Sequence, residues 1–114
     1  MQMIDNSVTK SYVVEGATLE CSLGSTPSKL MLPIGHGVYI WDKKQANISD
    51  MKSLYNILPF GVCKGSEPCV PAVVIYWVNG KEDVFIDKHN ALVDTSIAFC
   101  ARGGVIKVTD DGQL

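Results

Sequence analysis

Leu19-Glu20-Cys21-Ser22-Leu23, running on into Gly24-Ser25-Thr26-Pro27-Ser28, decides the fold class. Apolar and polar residues alternate, which puts Leu19, Cys21 and Leu23 on one face of a strand. The cluster of Gly, Ser, Thr and Pro that follows forces a turn. The same grammar recurs on both sides. Tyr12-Val13-Val14-Glu15-Gly16 reads as a short strand ending in a turn, and Val38-Tyr39-Ile40-Trp41 follows the punctuation Gly35-His36-Gly37. Residues 73–78 are rich in β-branched and aromatic side chains. Asn79-Gly80 then predicts a hairpin onto Asp83-Val84-Phe85-Ile86-Asp87, because both residues of such a turn must accept positive φ. A last alternation, Val105-Ile106-Lys107-Val108-Thr109, precedes Asp110-Asp111-Gly112. Turn signals about every ten residues predict an all-β fold of short strands and hairpins. Ile48, Met51, Tyr55 and Leu58 fall at helical spacing, so the pattern allows one short helix over residues 47–58, stopped by Pro59.

Length and composition set the bounds. The chain has 114 residues, 46% hydrophobic and 19% charged, which suits one small domain. Residues 1–11 are expected to form a loose terminus and residues 12–114 a single domain. Ten basic residues against twelve acidic ones leave a net charge of −2, and no basic run exceeds Lys43-Lys44. The electrostatic footprint of a nucleic-acid binder is missing. A membrane-spanning helix needs roughly 20 apolar residues. The longest nearly apolar run, residues 69–78, carries a proline and is half that length. The start, Met1-Gln2-Met3-Ile4-Asp5-Asn6, has no charged head followed by an apolar stretch, so a cytoplasmic location with reduced thiols is expected.

Four cysteines, at 21, 63, 69 and 100, are the residues most suggestive of chemistry. Zinc takes four thiolate or imidazole ligands in a closed structural site, and Cys21, Cys63, Cys69 and Cys100 could supply all of them. Gly65 and Pro68 between the middle pair suit a loop wrapped round an ion. Buried thiols acting as small hydrophobes, and disulfides, are the alternatives. His36 or His89 could replace one cysteine as ligand. A hydrolase built from Cys63 or Cys100 with His89 and Asp94 lacks any nucleophile-elbow or oxyanion-loop signature. Asp110-Asp111-Gly112 is too short for a calcium loop, and Gly103-Gly104 has no lysine-serine to make a phosphate cradle.

The chain also echoes itself. Cys-x-x-Gly occurs as Cys21-Ser22-Leu23-Gly24 and Cys100-Ala101-Arg102-Gly103, with Cys63-Lys64-Gly65 one residue shorter. Extended pieces at residues 46–50 and 84–87 precede the second and third, which hints at three degenerate hairpin units.

Three sets of motifs follow one another along the chain. The first is Gly16-Ala17-Thr18-Leu19-Glu20-Cys21-Ser22-Leu23-Gly24-Ser25-Thr26-Pro27-Ser28. The second is Ala46-x-Ile48-x-Asp50 leading to Asn56-Ile57-Leu58-Pro59-Phe60-Gly61-Val62-Cys63, then Pro68-Cys69-Val70-Pro71 and Trp77. The third is Ala91-Leu92, Thr95-Ser96, Cys100-x-x-Gly103-Gly104-Val105-Ile106 and Asp111-Gly112-Gln113. Taken in order, they resemble the opening, middle and close of the PAAR-like domain family.

The resemblance implies a small conical β-fold of pseudo-threefold character. It would cap the blunt end of a trimeric, VgrG-like β-helical spike, one chain per trimer, in type VI secretion and other contractile injection systems. It implies a non-catalytic piercing role, transient contact with a target membrane, and an effector or adaptor as cargo. With no extension after residue 114, such cargo would bind non-covalently. Better-known members hold zinc with three histidines and a cysteine. This chain has two histidines, so the matching metal positions are Cys21, Cys63, Cys69 and Cys100. The rival expectation is a small zinc- or thiol-bearing β binding module with no part in injection.

Overall fold

Leu19 and Cys21 are buried and Glu20 between them is exposed, so the alternation that suggested a strand does set the face of β1 (Thr18–Cys21). The computed structural model describes residues 11–63, 67–68, 72–73, 75–101 and 103–113, with Cys63, Glu67 and Pro68 described for backbone only. After β1 come β2 (Ser28–Lys29), β3 (Tyr39–Ile40), β4 (Lys43–Lys44), β5 (Val62–Cys63) and β6 (Glu67–Pro68). The chain continues with β7 (Lys81–Ile86), β8 (His89–Ala91), β9 (Ile97–Phe99) and β10 (Val105–Asp110). The fold is all-β. One antiparallel sheet has the order β2-β1-β10-β9, and β3-β4, β5-β6 and β7-β8 are separate hairpins. Pairing of β1 with β10, Leu19 opposite Val108 and Cys21 opposite Ile106, ties the two ends of the chain together. Among the described residues no helix is long and apolar enough to cross a membrane.

Three segments outside the named strands organise the rest. Residues 12–14, 45–47 and 91–93 each pair antiparallel with both of the others, through Tyr12 with Val93, Val14 with Gln45, and Asn47 with Ala91. Their central residues close a ring of backbone hydrogen bonds. Val13 N–H donates to Leu92 O, Leu92 N–H to Ala46 O, and Ala46 N–H to Val13 O, each at 3.0 Å. A second ring runs in the opposite sense. Glu15 N–H donates to Lys44 O at 2.9 Å, Ile48 N–H to Asn90 O at 3.0 Å, and Asp94 N–H to Ser11 O at 2.9 Å. Each segment then ends in the same turn, closed by Ala17 N–H to Val14 O, Asp50 N–H to Asn47 O, and Ser96 N–H to Val93 O. One chain thus repeats a single backbone arrangement three times about a common axis. Val13, Ala46 and Leu92 have no exposed surface and join the core with Trp77, Phe60, Leu19 and Ile106.

The structure corrects three expectations. Asn79-Gly80 does not turn residues 73–78 onto 83–87. Val78 instead exchanges hydrogen bonds with Ile97 (2.8 and 3.1 Å), and β7 folds back onto β8 round Asp87 (φ 53°) and Lys88 (φ 75°). Gly80 is needed for space instead: a Cβ there would lie 2.7 Å from Ile48 Cγ2. No helix forms at residues 47–58. Leu54 takes φ 66°, Asn47 Oδ1 accepts from Ser49 N–H, and Asn56 Oδ1 accepts from Lys52 N–H, so side chains close turns where a helix would need its own backbone bonds. The threefold echo is centred on residues 12–14, 45–47 and 91–93, and residues 84–87 belong to a hairpin before the third unit. Ser11 exchanges hydrogen bonds with Asp94, and residues 1–10, expected to form a loose terminus, lie outside the described residues.

Candidate functional site

The hairpins β3-β4 and β7-β8 occupy matching places, each leading into a ring segment. Their two-residue turns, Trp41-Asp42 (φ 53° and 64°) and Asp87-Lys88, both use left-handed backbone, the geometry that a tight hairpin with right-handed strand twist requires. Side chains alternate along them, so Ile86 is buried while its neighbour Phe85 is 61% exposed. Tyr39, the counterpart of Phe85, is 57% exposed, and Trp41 at the tip is 74% exposed. Two matching hairpins therefore present an aromatic ring outward at the same position. Exposed aromatics repeated by the fold's own symmetry are the pattern of a contact surface.

Asp50, the last residue of the second turn, gathers a polar cluster. Its carboxylate accepts Asn47 N–H at 2.8 Å, and its carbonyl accepts the indole N–H of buried Trp77 at 2.9 Å. His36, from the loop before β3, places Nε2 2.9 Å from Asp50 Oδ2 and Nδ1 3.0 Å from Asp87 Oδ2. Burial pulls the His36 pKa down. The hydrogen bonds and negative charge of Asp50 and Asp87 outweigh it, so the imidazolium persists above the ordinary 6.5. Beside this cluster lies a cleft of about 440 Å³ lined by Ile34, His36, Asp50, Tyr55, Tyr76 and His89. His89 meets the Tyr76 ring edge-on, with centroids 5.0 Å apart.

Of the four cysteines expected at a metal site, Cys21 and Cys100 are free and buried, Cys21 in β1 and Cys100 just beyond β9 in an isolated bridge with Val73. Gly104 stands between them. Cys100 N–H donates to its carbonyl at 2.9 Å, and a Cβ on it would come within 2.6 Å of Cys21 Sγ. The absent side chain leaves a space into which Cys21 points. Cys100 Sγ accepts Ala72 N–H at 3.4 Å. The Cys63 side chain and Cys69 lie outside the described residues. Among the described residues no three His, Cys, Asp or Glu side chains could hold a metal ion together. Neither histidine joins Cys21 or Cys100: His36 is engaged by two carboxylates and His89 by Tyr76. Of the hydrolase candidates, Asp94 Oδ1 accepts Ser11 N–H and Cys100 Sγ accepts Ala72 N–H, and the Cys63 side chain lies outside the described residues.

Asp87 and Phe85 were read in the sequence only as strand residues, and Asp50 only as part of the Ala46-x-Ile48-x-Asp50 motif. A signal was there: Tyr39-Ile40-Trp41-Asp42-Lys43 and Phe85-Ile86-Asp87-Lys88-His89 are parallel pentapeptides, aromatic then isoleucine then turn. No curated protein and no solved structure matches the chain. A family model does match, described as a domain of unknown function, DUF4280, and it spans residues 13–113, from the first ring segment to the turn beyond β10. The chain belongs to the DUF4280 family.

Proposed function

We propose that this protein is a PAAR-like, non-catalytic spike tip. In this reading one chain caps the blunt end of a trimeric, VgrG-like β-helical spike and concentrates the thrust of a contractile injection system on a small area. The observation that supports the reading best is the pair of opposed hydrogen-bond rings. A single chain that repeats its backbone three times can offer each subunit of a trimer a similar surface, which ordinary asymmetric domains cannot do. The rings also suit a load-bearing part. Shear between any two units must break backbone bonds buried from water, and an orphaned buried group costs about 1–3 kcal/mol. Tyr39 and Phe85, exposed at matching positions, supply apolar contact area toward such a partner. The chain would remain in the cytoplasm until loaded and then leave with the particle. Its cargo, an effector or adaptor, would ride non-covalently, and membrane contact would be transient. Nucleic acid has no part in it.

The zinc site of this reading comes from the resemblance; Cys21 and Cys100 are free and buried, and Cys21 Sγ occupies the space left by the absent Gly104 side chain. Cys21, Cys63, Cys69 and Cys100 would hold the ion, and its chemistry there is a structural cross-link between early, middle and late parts of the chain. Protein purified without an affinity tag should carry one zinc per chain by elemental analysis, and Cys21→Ser or Cys100→Ser should lose it. Metal-free wild-type protein would retire the four-cysteine site and leave the spike-tip reading intact.

The test of the role itself is capture. Co-expressed with a trimeric spike from the same gene cluster, the chain should co-purify with it, and the double variant Tyr39→Ser/Phe85→Ser should weaken capture at least tenfold while unfolding normally in urea. A well-folded chain that ignores every such spike would point to the simple binding module instead.

A further inference from the structure

The geometry points to a proton-operated latch in which imidazolium His36 locks the loop before β3 onto both the Asp50 turn and the tip of the β7-β8 hairpin. It stands apart from the spike-tip reading, since it rests only on side chains within this chain. The chemistry follows from counting donors. A charged imidazole has two N–H groups and donates one to each carboxylate, Nε2 to Asp50 and Nδ1 to Asp87. A neutral imidazole keeps one. The other ring nitrogen then turns a lone pair toward a carboxylate oxygen about 3 Å away, and that contact must open.

Which contact opens is set by burial. The Asp50 side chain is 8% exposed and the Asp87 side chain 57% exposed. Asp50 has little water to turn to, so it retains the remaining proton on Nε2. Asp87 is released into solvent. Its neighbour Ile86 stays anchored, because buried Asn47 donates its side-chain N–H to Ile86 O at 2.8 Å. The motion is therefore confined to the turn Asp87-Lys88, while His36 keeps its own loop on Asp50.

The other charged and titratable groups facing His36 are Asp50 and Asp87, which hold it, Lys52, Tyr55, Tyr76 and His89, which line the same cleft, and Lys44, which packs beside Gly35. His89, on β8, is the second histidine of the cleft, so it needs its own control.

The sign is fixed by the raised pKa. The folded value lies above 6.5, so the stabilisation is complete below 6.5 and is lost as pH rises through the folded value. The test is an NMR titration of the histidine rings with backbone nitrogen-15 relaxation measured on either side of the transition. Expected are a His36 pKa above 6.5, a neutral form protonated at Nε2, and a gain of backbone mobility at residues 87–88 above the transition. Asp87→Asn should lower the His36 pKa and remove the change in mobility, while His89→Gln should leave both in place. A His36 pKa at or below 6.5, or mobility at those residues that stays constant across its titration, overturns the latch.

Discussion

Trp77→Ala should cost about 3–5 kcal/mol of unfolding free energy, the ordinary range for emptying a buried aromatic site. Trp77 is 1% exposed and is the largest fully buried side chain. Its ring lies in the buried core cluster, and its indole N–H donates to Asp50 O at 2.9 Å. The variant leaves both a cavity and an unpaired carbonyl. Domains of this kind hold roughly 5–15 kcal/mol in all, so much of the margin goes. Equilibrium unfolding in urea measures it. Trp77→Phe, which keeps most of the volume but not the donor, should fall between. Trp41, 74% exposed, gives the contrast: Trp41→Ala should change stability by no more than about 0.5 kcal/mol. Equal effects at the two tryptophans would mean that the core is misplaced.

Ala46→Pro should be nearly as damaging, by a different route. Ala46 contributes both an N–H and a carbonyl to the first ring. Proline has no N–H, which leaves Val13 O buried without its donor at a cost of about 1–3 kcal/mol. The pyrrolidine must also enter a site with no exposed surface, and such overpacking adds about 1–3 kcal/mol. Ala46→Gly keeps the N–H and should lose only about 0.5–1 kcal/mol. A proline variant no less stable than the glycine one would show that the ring bonds carry little of the structure. Folding should also be slow for so small a chain, because β1 pairs with β10 across nearly its whole length.

Much of this architecture was legible in the sequence where one side chain alternation meets one buried face. Leu19, Glu20 and Cys21 declared β1, and residues 105–109 declared β10, because each strand has a wet side and a dry side. The short turn clusters correctly implied many small pieces. The rings were not legible. They are made by backbone groups, and the residues that donate at their centre, Val13, Ala46 and Leu92, have only burial in common. The spacing of cysteines hinted at three units but centred them elsewhere, since cysteine marks packing as well as chemistry. Asn79-Gly80 misled because its local turn preference lost to long-range pairing between Val78 and Ile97. The His36 cluster was hidden for the same reason: its partners, Asp50 and Asp87, come together only when the second and third units meet. The exposed aromatics could have been found by aligning the two hairpins against each other, with no tertiary information at all.

The most direct test is the mass of the assembled tip. Native mass spectrometry of this chain co-expressed with a trimeric β-helical spike should give one copy per three spike subunits, in keeping with a cap whose own backbone supplies the threefold match. Three copies per trimer, or a spike that assembles and carries none, would contradict it.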